Sequence, residues 1–263
     1  MVARADWAGL LSGQRVGTAE VALKAPLIQS TAGGSGAFLG LADNHHRYWI
    51  KPLNNLQGQR VPAIEQIVGR VGALIGAAIC EVKTISIGRE LEGWEFRPGR
   101  QLEAGVAHAS RHVEEVGETR VLDHRVDDDN PQRHLSLAAL HDWCWGSDTQ
   151  GLLALNDEFR FYSHDHGCYL PPEGPDWTIE ALEAAVDAPH ELAMSREAIT
   201  RPLVEGMAAR LEAVTREQLR GALVAIPSGW PVTDQELECV GFFLERRAPA
   251  VAARLRLCLG GQP

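Results

Sequence analysis

The chain has 263 residues, 45% of them hydrophobic and 23% charged, with a formal net charge of −10. That length buries a sizeable core, as one large domain or as two lobes around a cleft. The acidic balance argues against general nucleic-acid binding, since nothing offsets the phosphates globally, and no apolar run is long enough to span a bilayer.

The first third reads as strands. "VALKAPLIQS" (21–30) is apolar and ends in a polar cluster, followed by the glycine-rich "STAGGSG" (30–36). "GAFLGLAD" and "HRYWIKPL" are short apolar runs joined at Asp43, Asn44, His45 and His46, a hairpin pattern. In "VPAIEQIVGRVGALIG", Ile64, Ile67, Val68, Val71, Leu74 and Ile75 fall at helical spacing, with Pro62 suited to the first turn and Gly76 to the end. "AAICEVKTISIG" (77–88) returns to a strand pattern. Residues 97–133 are polar, and "RVDDDNPQRH" reads as a solvated surface loop lacking the glycine and glutamate of an EF-hand.

From about 134 the chain reads as mainly helical. "LSLAALHDWCWG" is an amphipathic helix, and "GLLALNDEFRFYSH" a hairpin turning at Asn156-Asp157. Thr178 can cap "IEALEAAVD". Segments 195–213, 215–225 and 233–258 have helical spacing, with Thr215 and Thr233 as candidate N-caps. The expected architecture is α+β: a small β-rich lobe over 1–96 and a larger helical lobe over 97–263 holding one central hairpin. Five cysteines without C-x-x-C spacing read as reduced, mostly buried thiols. No basic-then-apolar leader follows Met1, so a cytoplasmic location is the expectation.

Three features bear on chemistry. The glycines of "TAGGSG" let backbone N–H groups approach a phosphate, although a flexible hairpin turn is the plainer reading. No Gly-Lys-Ser/Thr follows, so this is not a Walker A loop. Lys51, in an otherwise apolar strand, is costly to bury unless it meets an anion; the alternative is a side chain snorkelling from a strand end. Glu65 lies on the following helix. Finally, "WGSD" ends a helix at Asp148, and a hairpin returns the chain to Asp165 in "SHDHG". Two carboxylates at one edge suit phosphoryl transfer, one orienting a hydroxyl and one holding magnesium. Gly167 would permit the torsion that aims Asp165. A rival is a zinc or iron site on His164 and His166, completed by His141, Asp142 or His108. A Ser163-based hydrolase fits poorly, because there is no G-x-S-x-G elbow. Histidines hydrogen-bonded within a loop are the structural alternative.

The order of "TAGGSGAFLG", "YWIKP", "VPAIEQIVGRVGALIGAAICEV", "WGSD" and "SHDHG" resembles the HipA-like kinases, atypical relatives of the phosphatidylinositol 3- and 4-kinases. The resemblance covers roughly residues 25–170 and implies a bilobal protein-kinase-like fold using ATP and Mg2+. It implies that Gly33, Gly34, Ser35 and Gly36 cover the triphosphate. Lys51 then neutralises phosphate oxygens, oriented by Glu65; Glu92 to Phe96 form the hinge against adenine; Asp148 is the catalytic aspartate and Asp165 the metal ligand. It further implies a protein Ser/Thr substrate, a regulatory protein partner, and self-modification at Thr31 or Ser35. Leu152 and Leu153 stand where the family carries a metal-binding asparagine, and Thr149 where a basic residue is common. Metal binding then rests on Asp165, aided by Asp142, His164 or Gln150, and a nucleotide-binding pseudokinase acting as a regulatory module is the alternative.

Overall fold

Alternation of buried and outward side chains sets three antiparallel strands first: β1 (Val21–Gln29), β2 (Phe38–Ala42) and β3 (Arg47–Lys51). The computed structural model describes residues 2–15, 17–29, 34, 36–119, 124–193 and 195–259. The expected Asp43–His46 turn is present, with His45 in the left-handed region at φ 64°. Helix α1 (Val61–Leu74) follows, with Pro62 in its first turn, where no intrahelical N–H is lost. Its apolar stripe of Ile64, Ile67, Val68 and Val71 is fully buried. Each such side chain contributes roughly 1.5–3 kcal/mol of burial.

Next come β4 (Val82–Ile87), the short pair β5 (Glu95–Arg97) and β6 (Arg100–Gln101), then β7 (Gly105–Arg111) and β8 (Val116–Thr119). Strands β1 to β4 and β7 close a barrel in the order β1-β2-β3-β7-β4. This corrects the boundary expected at 96/97. The polar-looking stretch supplies a central strand, because β7 turns the small residues Ala107 and Ala109 inward and pairs with both β3 and β4. At the other end, the N-terminal segment leaves the barrel: Trp7 and Leu11 are buried in the helical core, and Trp7 Nε1 donates to Glu245 at 2.7 Å.

Helix α2 (Asn130–Cys144) begins earlier than expected, with Pro131 in its first turn, so "RVDDDNPQRH" is loop only up to Asp129. Strands β9 (Gln150–Ala154) and β10 (Arg160–His164) form the expected hairpin, and β8 adds a third strand beside β9. The rest is α3 (Ile179–Ala185), α4 (Arg201–Glu212), α5 (Arg216–Val224) and α6 (Asp234–Leu259). Thr178 and Thr215 cap α3 and α5 as expected, accepting from Ala181 and Gln218 backbone N–H groups. Thr233 does the same for Glu236 at 3.2 Å. Residues 195–200 are not helical.

The barrel has its own core around Phe38, Tyr48, Ile50 and Phe96. The apolar stripe of α1 belongs instead to the large helical core with Trp143, Trp177 and Phe243. Gly69 on α1 allows contact with β4, since a Cβ there would meet Val82 Cγ1 at 2.6 Å. Among the described residues, no helix is long and apolar enough to cross a membrane.

Candidate active site

Strand alternation points Tyr48 and Ile50 into the barrel and Trp49 and Lys51 into the space between barrel and helices. There Lys51 Nζ donates to Glu65 Oε1 and to Asp165 Oδ1, the latter at 2.6 Å. Glu65 Oε2 accepts the backbone N–H of His166 at 3.0 Å. The Lys51 side chain is 8% exposed, Glu65 3% and Asp165 24%, so only Asp165 presents much surface to the cleft. Lys51 is therefore no snorkelling side chain.

Burial works against the charge on Lys51, but Glu65 and Asp165 outweigh it and hold the ammonium above its ordinary value. Burial likewise opposes ionisation of Glu65. The Lys51 ammonium, with His108 and His166, reverses this and holds the carboxyl far below the usual range. The three side chains carry one positive and two negative charges. That local surplus of negative charge suits a divalent cation, which in turn brings a polyanion.

Asp165 itself takes the left-handed torsion, φ 56°, as the chain leaves β10. The torsion expected at Gly167 is not there. Gly167 is needed for close approach instead, because a Cβ would meet Val61 Cγ1 at 2.8 Å. The turn at Asp165 also splits the two histidines. His164 lines the cleft, whereas His166 turns inward and its Nε2 meets Ser163 Oγ at 2.9 Å. Ser163, His166 and Glu65 thus form a serine–histidine–glutamate array, but they are 1%, 3% and 2% exposed and Glu65 is committed to Lys51, so no substrate reaches it. Of the other expected metal ligands, Asp142 is buried against Arg247 and Arg254, and His108 contacts Gln66 at 3.0 Å. Among the described residues, no three His, Cys, Asp or Glu side chains group as a ligand set. The His164/His166 metal site is therefore not built.

A cleft of about 380 Å³ opens in front of Lys51. Ile28, Ala37, Trp49, Val116 and Leu152 line it, and Lys51, Glu65, Asp165, Gln150 and His164 form its polar end. Its rim runs along Ser110, Arg111 and His112, the segment leaving β7 for β8. This corrects the hinge expected at Glu92 to Phe96: Phe96 is fully buried in the barrel core, 6.0 Å from the Phe38 ring. A larger groove of about 650 Å³ lies between α1, β4 and α5, where Glu20 pairs with both Arg70 and Lys83 and Glu81 also meets Lys83.

Asp148 sits in the loop between α2 and β9 and accepts from Gln150 Nε2 at 2.8 Å. Gln150 faces His164 across the hairpin, which places Asp148 at the edge where Asp165 emerges. Cys168 senses both carboxylates: burial raises its thiol pKa, and Asp165 and Asp148 add to the rise. Of the glycine-rich residues, Gly34 is exposed and Gly36 is buried beside Arg97 and Phe96; Thr31, Gly33 and Ser35 lie outside the described residues.

No family model matches this sequence, and no curated protein matches it significantly. Solved structures do match in fold. The Helicobacter pylori proinflammatory kinase CtkA aligns with a TM-score of 0.55 at 11% identity, over 95% of this chain and 100% of that one. This is a kinase fold. The Golgi casein kinase with Mn/ADP bound aligns with a TM-score of 0.51 at 10% identity, over 99% of this chain and 78% of that one. Within this fold, the barrel is the small lobe, α2 to α6 and the β8–β10 sheet form the large lobe, and the Lys51 cluster sits at the cleft between them.

Three buried imidazoles carry a pH prediction. Burial pushes His108, His141 and His166 down to about 4. In the unfolded chain they titrate near 6.5, so below that pH the unfolded state binds more protons than the fold. Stability is complete above pH 6.5 and falls as the pH drops, by about 2 kcal/mol per ring at pH 5. Urea unfolding between pH 7.5 and pH 5 measures it; a profile flat over that range contradicts it.

Proposed function

We propose that this chain is an ATP- and magnesium-dependent phosphotransferase. The observation that carries the reading is the Lys51–Glu65–Asp165 cluster at the polar end of an interlobe cleft with a kinase fold. The residues fit a magnesium nucleotide. The buried ammonium of Lys51 meets phosphate oxygens, Asp165 offers a partly exposed carboxylate, and Ile28, Ala37, Val116 and Leu152 wall a slot for a flat base. Glu65 fixes the Lys51 amine. Gln150, which lines the same cleft, supplies an amide carbonyl oxygen as the second hard ligand. Asp165 and Gln150 would hold the magnesium ion, which would supply Lewis-acid charge neutralisation to the transferring phosphate.

Asp148 is the residue that orients the acceptor hydroxyl and receives its proton as the oxygen attacks the terminal phosphorus and ADP leaves. Catalysis of this kind is positioning and charge neutralisation. The acceptor belongs to the same proposal: a serine or threonine hydroxyl of a protein, as in the HipA-like kinases that the motif order resembles. A regulatory protein partner is part of that reading.

Purified protein incubated with γ-labelled ATP and Mg2+ is expected to transfer label to a protein acceptor or to itself, and EDTA to stop it. Absence of label on every acceptor and of ADP release rejects the proposal. Gln150→Ala is expected to raise the Mg2+ concentration needed for half-maximal rate about tenfold, the loss of one ligand, while the maximal rate at saturating Mg2+ falls less. An unchanged Mg2+ requirement removes Gln150 from the metal site.

A nucleotide-binding pseudokinase is the second reading. It is favoured by Leu152 and Leu153, both 7% exposed, at the strand positions where an asparagine ligand is expected. Thermal stabilisation by ATP that does not need Mg2+, with no turnover, selects it.

A further inference from the structure

The loop that carries Asp148 is clamped from behind by a segment far away in sequence. Trp145 adopts a left-handed torsion, φ 57°, and Gly146 and Ser147 lead to Asp148. On one side, Ser147 Oγ donates to the Cys168 carbonyl at 2.6 Å, tying this loop to the chain just beyond Asp165. On the other side stands His190, in the irregular stretch between α3 and α4. Its Nε2 donates to the Gly146 carbonyl at 2.5 Å, which places a proton on that nitrogen. Its ring stacks on Trp145 at 4.2 Å and on His141 at 5.1 Å, with interplanar angles of 13° and 3°.

His190 is itself fixed. Its backbone N–H donates to Asp142 Oδ1 at 3.1 Å, and its carbonyl accepts from His141 Nδ1 at 3.3 Å. Asp142 is 3% exposed and receives Arg247 Nη2 at 2.8 Å and Arg254 Nε at 2.7 Å. Arg247, fully buried, also donates to the carbonyls of Ala185 and Ala188 at 2.7 and 2.6 Å, so it holds both ends of the turn leading to His190. A charged anchor on α6 is thereby connected, through Asp142 and His190, to the backbone just before Asp148.

We infer that His190 is a positioning residue for phosphoryl transfer, holding the Gly146 carbonyl and with it the Asp148 carboxylate at the cleft edge. This rests on the phosphotransferase reading. Misplacing a catalytic group by about 1 Å can cost on the order of 100-fold in rate. His190→Phe keeps a ring against Trp145 but loses the donor; His190→Gln keeps an amide N–H for Gly146. The expected result is a 10- to 100-fold lower kcat in H190F, a KM for ATP within about twofold of wild type, and recovery of most of the rate in H190Q. Amide hydrogen exchange at 146–149 is expected to speed up in H190F and not in H190Q. Equal kcat in wild type and H190F, or a loss in H190Q as large as in H190F, overturns the inference. A wild type that releases no ADP rejects the phosphotransferase reading instead. Exchange then decides the clamp alone, and unchanged exchange at 146–149 in H190F overturns it.

Discussion

Replacing Lys51 with alanine is expected to lower phosphoryl transfer by about 10²–10³-fold, the cost of removing one preorganised charge from a reacting centre. The same change is expected to destabilise the fold by about 3–5 kcal/mol, because Glu65, 2% exposed, keeps its charge without its ammonium partner. Those two effects separate in a second variant. Lys51→Met combined with Glu65→Gln removes both buried charges together, while the Gln amide oxygen still accepts the His166 backbone N–H; replacing a buried ion pair with neutral side chains is often neutral for stability. Chemical denaturation is expected to show K51M/E65Q recovering most of the stability lost in K51A, while transfer stays absent. A single variant K51A as stable as wild type would mean that Glu65 is not held by this pair.

Asp165→Asn is expected to behave in the opposite way. The amide is the same size, and Lys51 retains Glu65, so unfolding free energy is expected to shift by no more than about 1 kcal/mol, the scale of a partly exposed ion pair. Activity is expected to fall by on the order of 10³-fold or more, because an amide does not supply the anionic ligand that a divalent ion on a transferring phosphate needs. The measurement is initial rate against Mg2+ concentration beside a denaturation curve for the same preparation. Near-wild-type turnover in D165N removes Asp165 from the metal site. Loss of fold in D165N would make its contact with Lys51 structural.

The parts of this design visible in the sequence are those in which a residue contradicts its surroundings. Lys51 stands out because it interrupts an apolar strand, Glu65 because it falls in the first turns of the helix that follows, and Asp165 because two histidines and a glycine frame it. All three meet in one place. What the sequence does not display depends on distant pairing. Strand β7 reads "GVAHASR", without a β-branched run, and becomes a central strand only because β3 and β4 flank it. The hinge shifts with β7, since the segment following that strand lines the cleft. The left-handed turn falls on Asp165, a residue type that tolerates that torsion, while Gly167 serves the close approach to Val61. The Asp142–His190 contact joins residues from separate elements whose local patterns are unremarked, so no spacing rule announces it.

The placement of α1 has a bearing on how such a protein is governed. Its Ile64, Ile67, Val68 and Val71 are sealed into the same interior as Trp143 and Phe243 of the large lobe. Swinging that helix outward to disengage Glu65 would hydrate all of them, at roughly 1.5–3 kcal/mol apiece. The Lys51–Glu65 pair is therefore held in place by the packing of α1 as well as by its own contact. Under the phosphotransferase reading, switching by an outward swing of α1 would have to supply that free energy.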